Sequence, residues 1–275
     1  MEAVSLQLSW FAYLLASGGY VVTLLRPRDW ARRVGPLLLG AAFSLHSLFL
    51  AVRTLETGAV PATNATEGLA LFAWLLVGVY LCVQSRFHLA VIGAVVSPLA
   101  FVMTFGASAL YGGGGTVPDA LRSPWLVTHI ILAFLGNAVF GLAFAVSVVQ
   151  LLQERLLKTH RRTSLVRRLP PVGKLDRLNY LFLLWGFALM TLGIVTGGVW
   201  ATNVWGRFWS WEPREILSIV TWILYAGLLQ LRTTGGLTGR RAARWTVLAY
   251  FLLIVFFLAV NLLPFAGNHG GGLGG

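Results

Sequence analysis

The sequence predicts an all-α fold, a polytopic membrane bundle of about eight transmembrane helices. Of its 275 residues, 57% are hydrophobic and 11% are charged. A soluble domain has about 25% charged residues. The mean hydropathy of the chain is +0.77. So few charges place the chain in a lipid bilayer. No internal repeat is visible, and we expect residues 1–275 to form a single integral membrane domain.

Eight apolar segments account for the predicted helices, since a spanning helix needs about 20 mostly apolar residues. The boundary between the third and the fourth is short and lies around Arg86 and His88. The segments run approximately over residues 5–25, 34–53, 68–85, 88–107, 125–152, 179–200, 214–232 and 245–264.

Basic residues in the loops predict the orientation of these helices. All but four of the 21 Lys and Arg residues follow the first, third, fifth and seventh segments. Short loops that carry Lys and Arg stay in the cytoplasm, so both termini are expected outside. The basic residues behind the net charge of +12 then set the membrane topology and contact anionic lipid. The charge therefore gives no support to nucleic-acid binding. The expected external face keeps Arg53, Arg122, Arg207 and Arg214.

Cysteine usage and the N-terminus bear on three further features. Cys82 is the only cysteine, so no intramolecular disulfide can form. The Cys-x-x-Cys-His motif is absent, so the chain does not attach a c-type haem to itself. The first residues lack a basic region, and no cleavable signal is expected.

A tryptophan-rich stretch, residues 197–214, is the strongest local signal, and we call it the Trp loop. It lies between the sixth and seventh segments and is therefore expected outside. Such a concentration of indole rings fits a headgroup-level aromatic belt, a partner surface or a flat ligand. It contains four of the eleven tryptophans and other aromatic or charged side chains, namely Trp200, Trp205, Arg207, Phe208, Trp209, Trp211, Glu212 and Arg214.

Local patterns predict two helical features in the Trp loop. Pro213 suits the first position of a helix, and Glu215 favours its positive dipole end. The spacing of Val204, Trp205 and Phe208 with Trp209 predicts a short interfacial helix over residues 203–210.

Two histidines are expected on the same face as the Trp loop. His129 lies near the start of the fifth segment and His269 follows the eighth. Two neutral imidazoles can be the axial ligands of a haem iron, with tryptophans covering the porphyrin. Arg207, Arg214 or Arg122 could then pair with the haem propionates. The alternatives are polar caps at the interface, or a zinc site with further ligands such as Glu212.

The remaining histidines are of two kinds. His46 lies in the outer half of the second segment, and an ionisable residue at membrane depth is a functional candidate. Its alternative role is a hydrogen bond to a neighbouring helix. His88 and His160 lie among arginines at expected cytoplasmic ends and are interpreted as solvated.

The motif in residues 205–215, Trp-Gly-Arg-Phe-Trp-Ser-Trp-Glu-Pro-Arg-Glu, resembles the tryptophan-rich "WWD" signature of haem-handling proteins. Residues 221–226, Thr-Trp-Ile-Leu-Tyr-Ala, are similar to the CcsA branch of cytochrome c maturation system II. The eight-segment layout agrees. Further matches lie at Arg53, Pro61, Asn64 and Glu67, and in residues 153–155, 175–180 and 260–261.

The resemblance implies a haem-binding subunit that presents haem b, held non-covalently, to apocytochrome c Cys-x-x-Cys-His. By position, His129 and His269 would be the axial ligands, and the Trp loop would be the platform. The implied partners are a CcsB (ResB-type) protein, apocytochrome c and a thiol-reducing protein. The chain would be one component of a CcsB–CcsA synthase rather than an enzyme by itself. The implied location is the bacterial inner membrane or a thylakoid-type equivalent, with the site on the external face.

Three positions depart from the pattern of that family. Glu212 replaces the aspartate of the signature, Gln230 stands where a histidine is common, and His269 lies in a glycine-rich tail. Alternative functions therefore stay open: a HemX-like regulator of haem synthesis, CcmC-like delivery of haem to a carrier, or a plain transporter. Loss of c-type cytochromes in a deletion strain would favour the synthase, and altered tetrapyrrole levels with normal cytochromes the regulator.

Overall fold

The computed structural model describes residues 2–25, 29–87, 89–110, 123–158 and 169–262, and the regular structure in these ranges is α-helical. The all-α prediction is therefore confirmed. The described ranges contain eight helices: α1 (Glu2–Leu25), α2 (Asp29–Thr57), α3 (Ala65–Phe87), α4 (Ala90–Ala109), α5 (Pro124–Lys158), α6 (Val172–Trp205), α7 (Pro213–Thr233) and α8 (Gly239–Leu262).

The helices have the length and composition of membrane spans. Each of α2 to α8 contains a stretch long and apolar enough to cross a bilayer. The remaining helix, α1, has 24 residues. At 1.5 Å per residue it is about 36 Å long, against a hydrocarbon core of about 30 Å. The chain is an integral membrane protein.

The helices form two groups of four, α1–α4 and α5–α8, and α5 joins them by packing against α3 and α4. The ends of α2, α4 and α6 lie beside the starts of α3 and α5 at one end of the bundle, the Trp-loop end. The opposite end is the basic end. One apolar core includes buried side chains from every helix, among them Tyr13, Leu39, Phe72, Val96, Phe140, Leu183, Tyr225 and Tyr250.

Small residues let α5 and α6 approach closely, and this is the most extensive helix pair in the bundle. A Cβ atom on Gly136 would lie 2.9 Å from the backbone nitrogen of Met190, and one on Gly193 would lie 3.0 Å from that of Ala133. Small side chains at such positions are typical of membrane helix pairs, where close backbone packing replaces the hydrophobic effect. The seam fixes the register of α5 against α6.

A buried ion pair orders the α2–α3 connection at the Trp-loop end. The Nε atom of Arg53 donates to Oε1 of Glu67 at 2.7 Å, and both side chains are buried. The other carboxylate oxygen, Oε2, accepts from the backbone and hydroxyl of Thr63, and Asn64 caps the start of α3 through its Oδ1. These contacts order the turn between Arg53 and Glu67.

Candidate functional site

The non-helical part of the Trp loop begins where α6 ends, at Gly206. This residue has φ +71°, a left-handed conformation that favours glycine, and its N–H donates to the Thr202 carbonyl at 3.0 Å. Residues 206–212 contain no helix. The predicted interfacial helix over 203–210 is therefore wrong: Val204 and Trp205 belong to the last turn of α6, and the reversal at Gly206 interrupts the pattern.

The tryptophans of the loop form two edge-to-face pairs. Trp200 packs on Trp205 with ring centroids 4.9 Å apart, and Trp209 packs on Trp211 with centroids 6.1 Å apart. Trp200 is only 6% exposed, so it supports the others from within the bundle. Phe208 is 49% exposed and Trp211 is 76% exposed, which makes these two rings the outermost aromatic surface of the loop.

Trp211 has an unusual backbone. Its φ is +59°, and it is the one non-glycine residue with positive φ in the described part of the chain. Such a conformation costs about 1–3 kcal/mol and persists only where the surroundings enforce it. The next residue, Glu212, is the N-cap of α7, so Trp211 is the last residue before the helix cap. The Trp211 ring is exposed at this position.

A capping box starts α7 and holds the loop. Glu212 is the N-cap, Pro213 is the first helical residue, and the Glu212 side chain accepts from the backbone N–H of Glu215. In return, Oε2 of Glu215 accepts from the backbone of Ser210 at 2.7 Å and of Glu212 at 3.3 Å. This reciprocal arrangement satisfies amides that a helix start leaves unpaired. The helix start predicted at Pro213 is confirmed, and the structure gives Glu212 a capping role.

His129 lies against α6 in the α5–α6 seam. Its Nδ1–H donates to the Gly193 carbonyl at 2.7 Å, because a carbonyl oxygen can only accept. In a neutral imidazole the lone pair then belongs to Nε2, the arrangement of a metal-ligating histidine held by its other nitrogen. The donor chemistry of His129 fits an iron ligand.

Two adjacent glycines of α6 bring His129 and the Trp loop together. A Cβ atom on Gly197 would lie 2.6 Å from Nδ1 of His129, and one on Gly198 would lie within 2.6 Å of three ring atoms of Phe208. The imidazole and the phenyl ring thus rest on neighbouring faces of one helical turn. The geometry joins residues almost 80 positions apart in the sequence.

The predicted polar groups of the site differ in exposure, and two of them lie outside the described residues. Arg207 and Arg214 are exposed residues of the loop, and the charge of Arg214 interacts with Glu212. Glu212 is buried in the cap of α7. His269 and Arg122, the second predicted axial ligand and a predicted propionate contact, lie outside the described residues.

His46 lies in the other half of the bundle. It is fully buried, with Nδ1 3.2 Å from the hydroxyl of Tyr13 on α1 and its ring beside Phe49. The alternative of a bond to a neighbouring helix is therefore correct for Nδ1. Its Nε2 has no hydrogen-bond partner among the described residues. The position expected to carry a histidine in related chains, Gln230, is exposed and bonds Thr234.

Sequence reasoning missed the residues that position His129. Gly193, Gly197 and Gly198 carry no functional group, so a reading based on side-chain chemistry passes over them. The Gly-x-x-x-Gly spacing of residues 193–197 was an available signal of close helix packing. Among the described residues, no three His, Cys, Asp or Glu side chains group as a metal site.

Comparison with known proteins agrees with this architecture. A solved structure of the cytochrome c haem lyase CcmF superposes with a TM-score of 0.63 at 19% identity, covering 95% of this chain and 50% of that one. The likeness concerns the fold, and this chain spans half of the CcmF chain.

Sequence relatives are closer. The CcsA cytochrome c biogenesis protein of Synechococcus sp. (strain RCC307) is 32% identical over 263 residues, 86% of this chain and 84% of the relative. That of Guillardia theta is 30% identical, over 79% of this chain and 78% of the relative. The sequence profile of the family described as "Cytochrome C assembly protein" matches residues 62–266. The chain therefore belongs to the cytochrome c assembly protein family.

Proposed function

We propose that this chain is the haem-binding membrane subunit of a system II cytochrome c synthase. It holds haem on the external face, with the Trp loop as platform and His129 and His269 as axial ligands. A CcsB-type membrane protein completes the synthase, and apocytochrome c supplies the Cys-x-x-Cys-His motif. The observation that carries this proposal is the packing of His129 and Phe208 on the adjacent glycines Gly197 and Gly198.

The exposed aromatic surface suits a planar substrate. Phe208 and Trp211 present flat apolar rings outside the bundle, and haem is a flat apolar molecule with anionic propionates at one edge. Arg207 and Arg214, both exposed on the same loop, supply the opposite charge. Trp200 and Trp205 brace the platform from inside.

The chain's own contribution is orientation. The Gly193 carbonyl holds the tautomer of His129 in which Nε2 carries the lone pair that iron requires. In the synthase reaction each cysteine thiol adds across a haem vinyl group: one S–C bond and one C–H bond form, and the S–H bond and the π bond are lost. This addition involves no net oxidation, so binding and positioning are what the chain must provide.

The first prediction tests the ligand assignment. Purified protein is expected to be red, with the absorption spectrum of a low-spin haem ligated by two imidazoles. His129→Ala and His269→Ala should each abolish that low-spin spectrum. His88→Ala and His160→Ala, which change histidines outside the predicted site, should leave it intact. If both ligand variants keep the haem content and spectrum of the parent, the assignment is wrong.

One observation keeps a second candidate function in view. Gln230 stands where a histidine is common in CcsA-like chains, and a HemX-like regulator of haem synthesis shares the fold. A deletion strain separates the two functions. Absence of c-type cytochromes supports the synthase, whereas altered tetrapyrrole levels with normal cytochromes support the regulator. The same strain, complemented with His46→Ala, tests whether His46 contributes an intramembrane haem contact.

A further inference from the structure

The first turns of α8 carry a surface that the haem site does not use. Arg241, Arg244, Trp245 and Leu248 share one helix face at spacings of three, four and seven residues and line an open pocket of about 450 Å³. We call these four residues the α8 basic face. It lies at the basic end of the bundle, opposite the Trp loop.

The fold holds this face outward. The opposite side of the same turns is buried in the bundle, so α8 cannot rotate to hide its arginines without exposing that side. Trp245 and Leu248 are exposed, and the outward stripe continues towards the bilayer centre through Phe251 and Val255, which are exposed as well. The buried side consists of Ala242, Ala243, Thr246, Ala249 and Tyr250.

The charges of this face have no internal counterion among the described residues. Neither Arg241 nor Arg244 pairs with an acidic group in the described part of the chain. Asp176, an acid that contacts the start of α8, already accepts from the Gly239 N–H and from Arg232, both at 3.1 Å. Both arginines also lie near the N-terminus of α8, which is the positive end of the helix dipole and is unfavourable for cations. An external anion would relieve this repulsion.

We propose that the α8 basic face binds one anionic phospholipid. The two guanidinium groups take the headgroup phosphate, for which their planar forks are suited. Trp245 lies at the level where indole rings favour the membrane interface. Leu248, Phe251 and Val255 contact an acyl chain. Along the helix, charged groups are followed by an indole and then by apolar side chains, which matches the headgroup, interface and acyl chain of a phospholipid. This order favours a lipid over free phosphate or a protein as the ligand. The proposal is independent of the haem function.

Tryptophan quenching by brominated lipids tests this site in the full-length protein. The protein is reconstituted in phosphatidylcholine bilayers with increasing brominated phosphatidylglycerol or, in parallel, brominated phosphatidylcholine. The difference between the parent and Trp245→Phe isolates the Trp245 signal. We expect brominated phosphatidylglycerol to quench that signal at a mole fraction about thirtyfold lower, since each basic side chain near the surface contributes about 1 kcal/mol. Added inorganic phosphate should not compete.

Charge variants distinguish a built site from general attraction. Arg241→Gln/Arg244→Gln should make both lipids quench Trp245 equally. Lys174→Gln/Arg177→Gln removes the same charge at the same spacing from two exposed positions on α6. This control variant should keep the preference of Trp245 for brominated phosphatidylglycerol. The proposal is overturned if parent Trp245 shows no preference, if the α6 pair abolishes it equally, or if inorganic phosphate removes it. It is also overturned if neither lipid reaches Trp245, because another chain then covers the face.

Discussion

At the scale of single residues, the site depends on two glycines that have no side chain. Gly197 and Gly198 leave room for the His129 imidazole and the Phe208 ring on consecutive positions of α6. A methyl group on either residue would occupy the space of a ring that the proposed haem site needs. The roles of these glycines follow from the packing of α5 on α6, and not from any chemistry of their own.

Gly197→Ala is therefore expected to weaken haem binding. The new Cβ would lie 2.6 Å from Nδ1 of His129 and would push the imidazole off the Gly193 carbonyl. Overpacking of this kind costs about 1–3 kcal/mol, so haem affinity should fall about tenfold. A haem titration followed by the Soret band of the purified protein measures the change.

Gly227→Ala is the matched control, because a Cβ at this helical glycine of α7 meets nothing within 4 Å. It should bind haem as the parent does. Equal affinity of Gly197→Ala and the parent would mean that the His129 position is irrelevant to haem.

At the scale of elements, the start of α7 shows what a local pattern can and cannot predict. Pro213 and Glu215 predicted the helix start, because capping depends on residues close in sequence. The helix predicted over 203–210 is wrong for a local reason too. Gly206 reverses the chain, and the spacing of apolar residues alone does not indicate where a helix ends.

The departure of Glu212 from the family's aspartate can be tested through its cap. Glu212→Ala should destabilise the protein by about 1 kcal/mol, as N-cap losses do. Glu212→Asp should retain the stability, since aspartate is a preferred N-cap residue. Thermal unfolding in detergent gives the stability, and hydrogen exchange of the amides at 210–216 reports the order of the Trp loop. Unchanged exchange in Glu212→Ala would show that the cap does not hold the loop.

At the scale of the whole molecule, a buried polar network ties four helices together near the basic end. Arg232 of α7 donates to Oδ1 of Asn179 at 2.8 Å and to Oδ1 of Asp176 at 3.1 Å, both on α6. Asn179 in turn donates to Ser147 of α5 at 2.7 Å and to Thr246 of α8 at 3.2 Å. The network sets the relative positions of the helices that carry the Trp loop at their other end.

Arg232→Gln is expected to destabilise the whole bundle. Breaking a buried ion pair costs about 3–5 kcal/mol. The Asp176 side chain is 21% exposed, so a loss near the lower end, about 3 kcal/mol, is expected. Thermal or denaturant unfolding in detergent measures it. Arg240→Gln, an exposed change a few residues away, should stay within about 0.5 kcal/mol. Equal stability of the two variants would contradict a structural role for the network.

The sequence alone was sufficient to predict the membrane bundle, the number of its helices and the helix start at Pro213. Those features depend on composition and on patterns within one or two helical turns. It also indicated His129 and the Trp loop as parts of one site, through the charge count that placed both on the same face.

Only the tertiary structure decided how these parts meet. The contact of His129 with Gly193 and Gly197, the burial of Trp200 and the pairing of His46 with Tyr13 join residues on different helices. Such contacts depend on the rotation and register of each helix, which close packing across the seams sets. The residue pattern of one helix does not show which side of another helix packs against it.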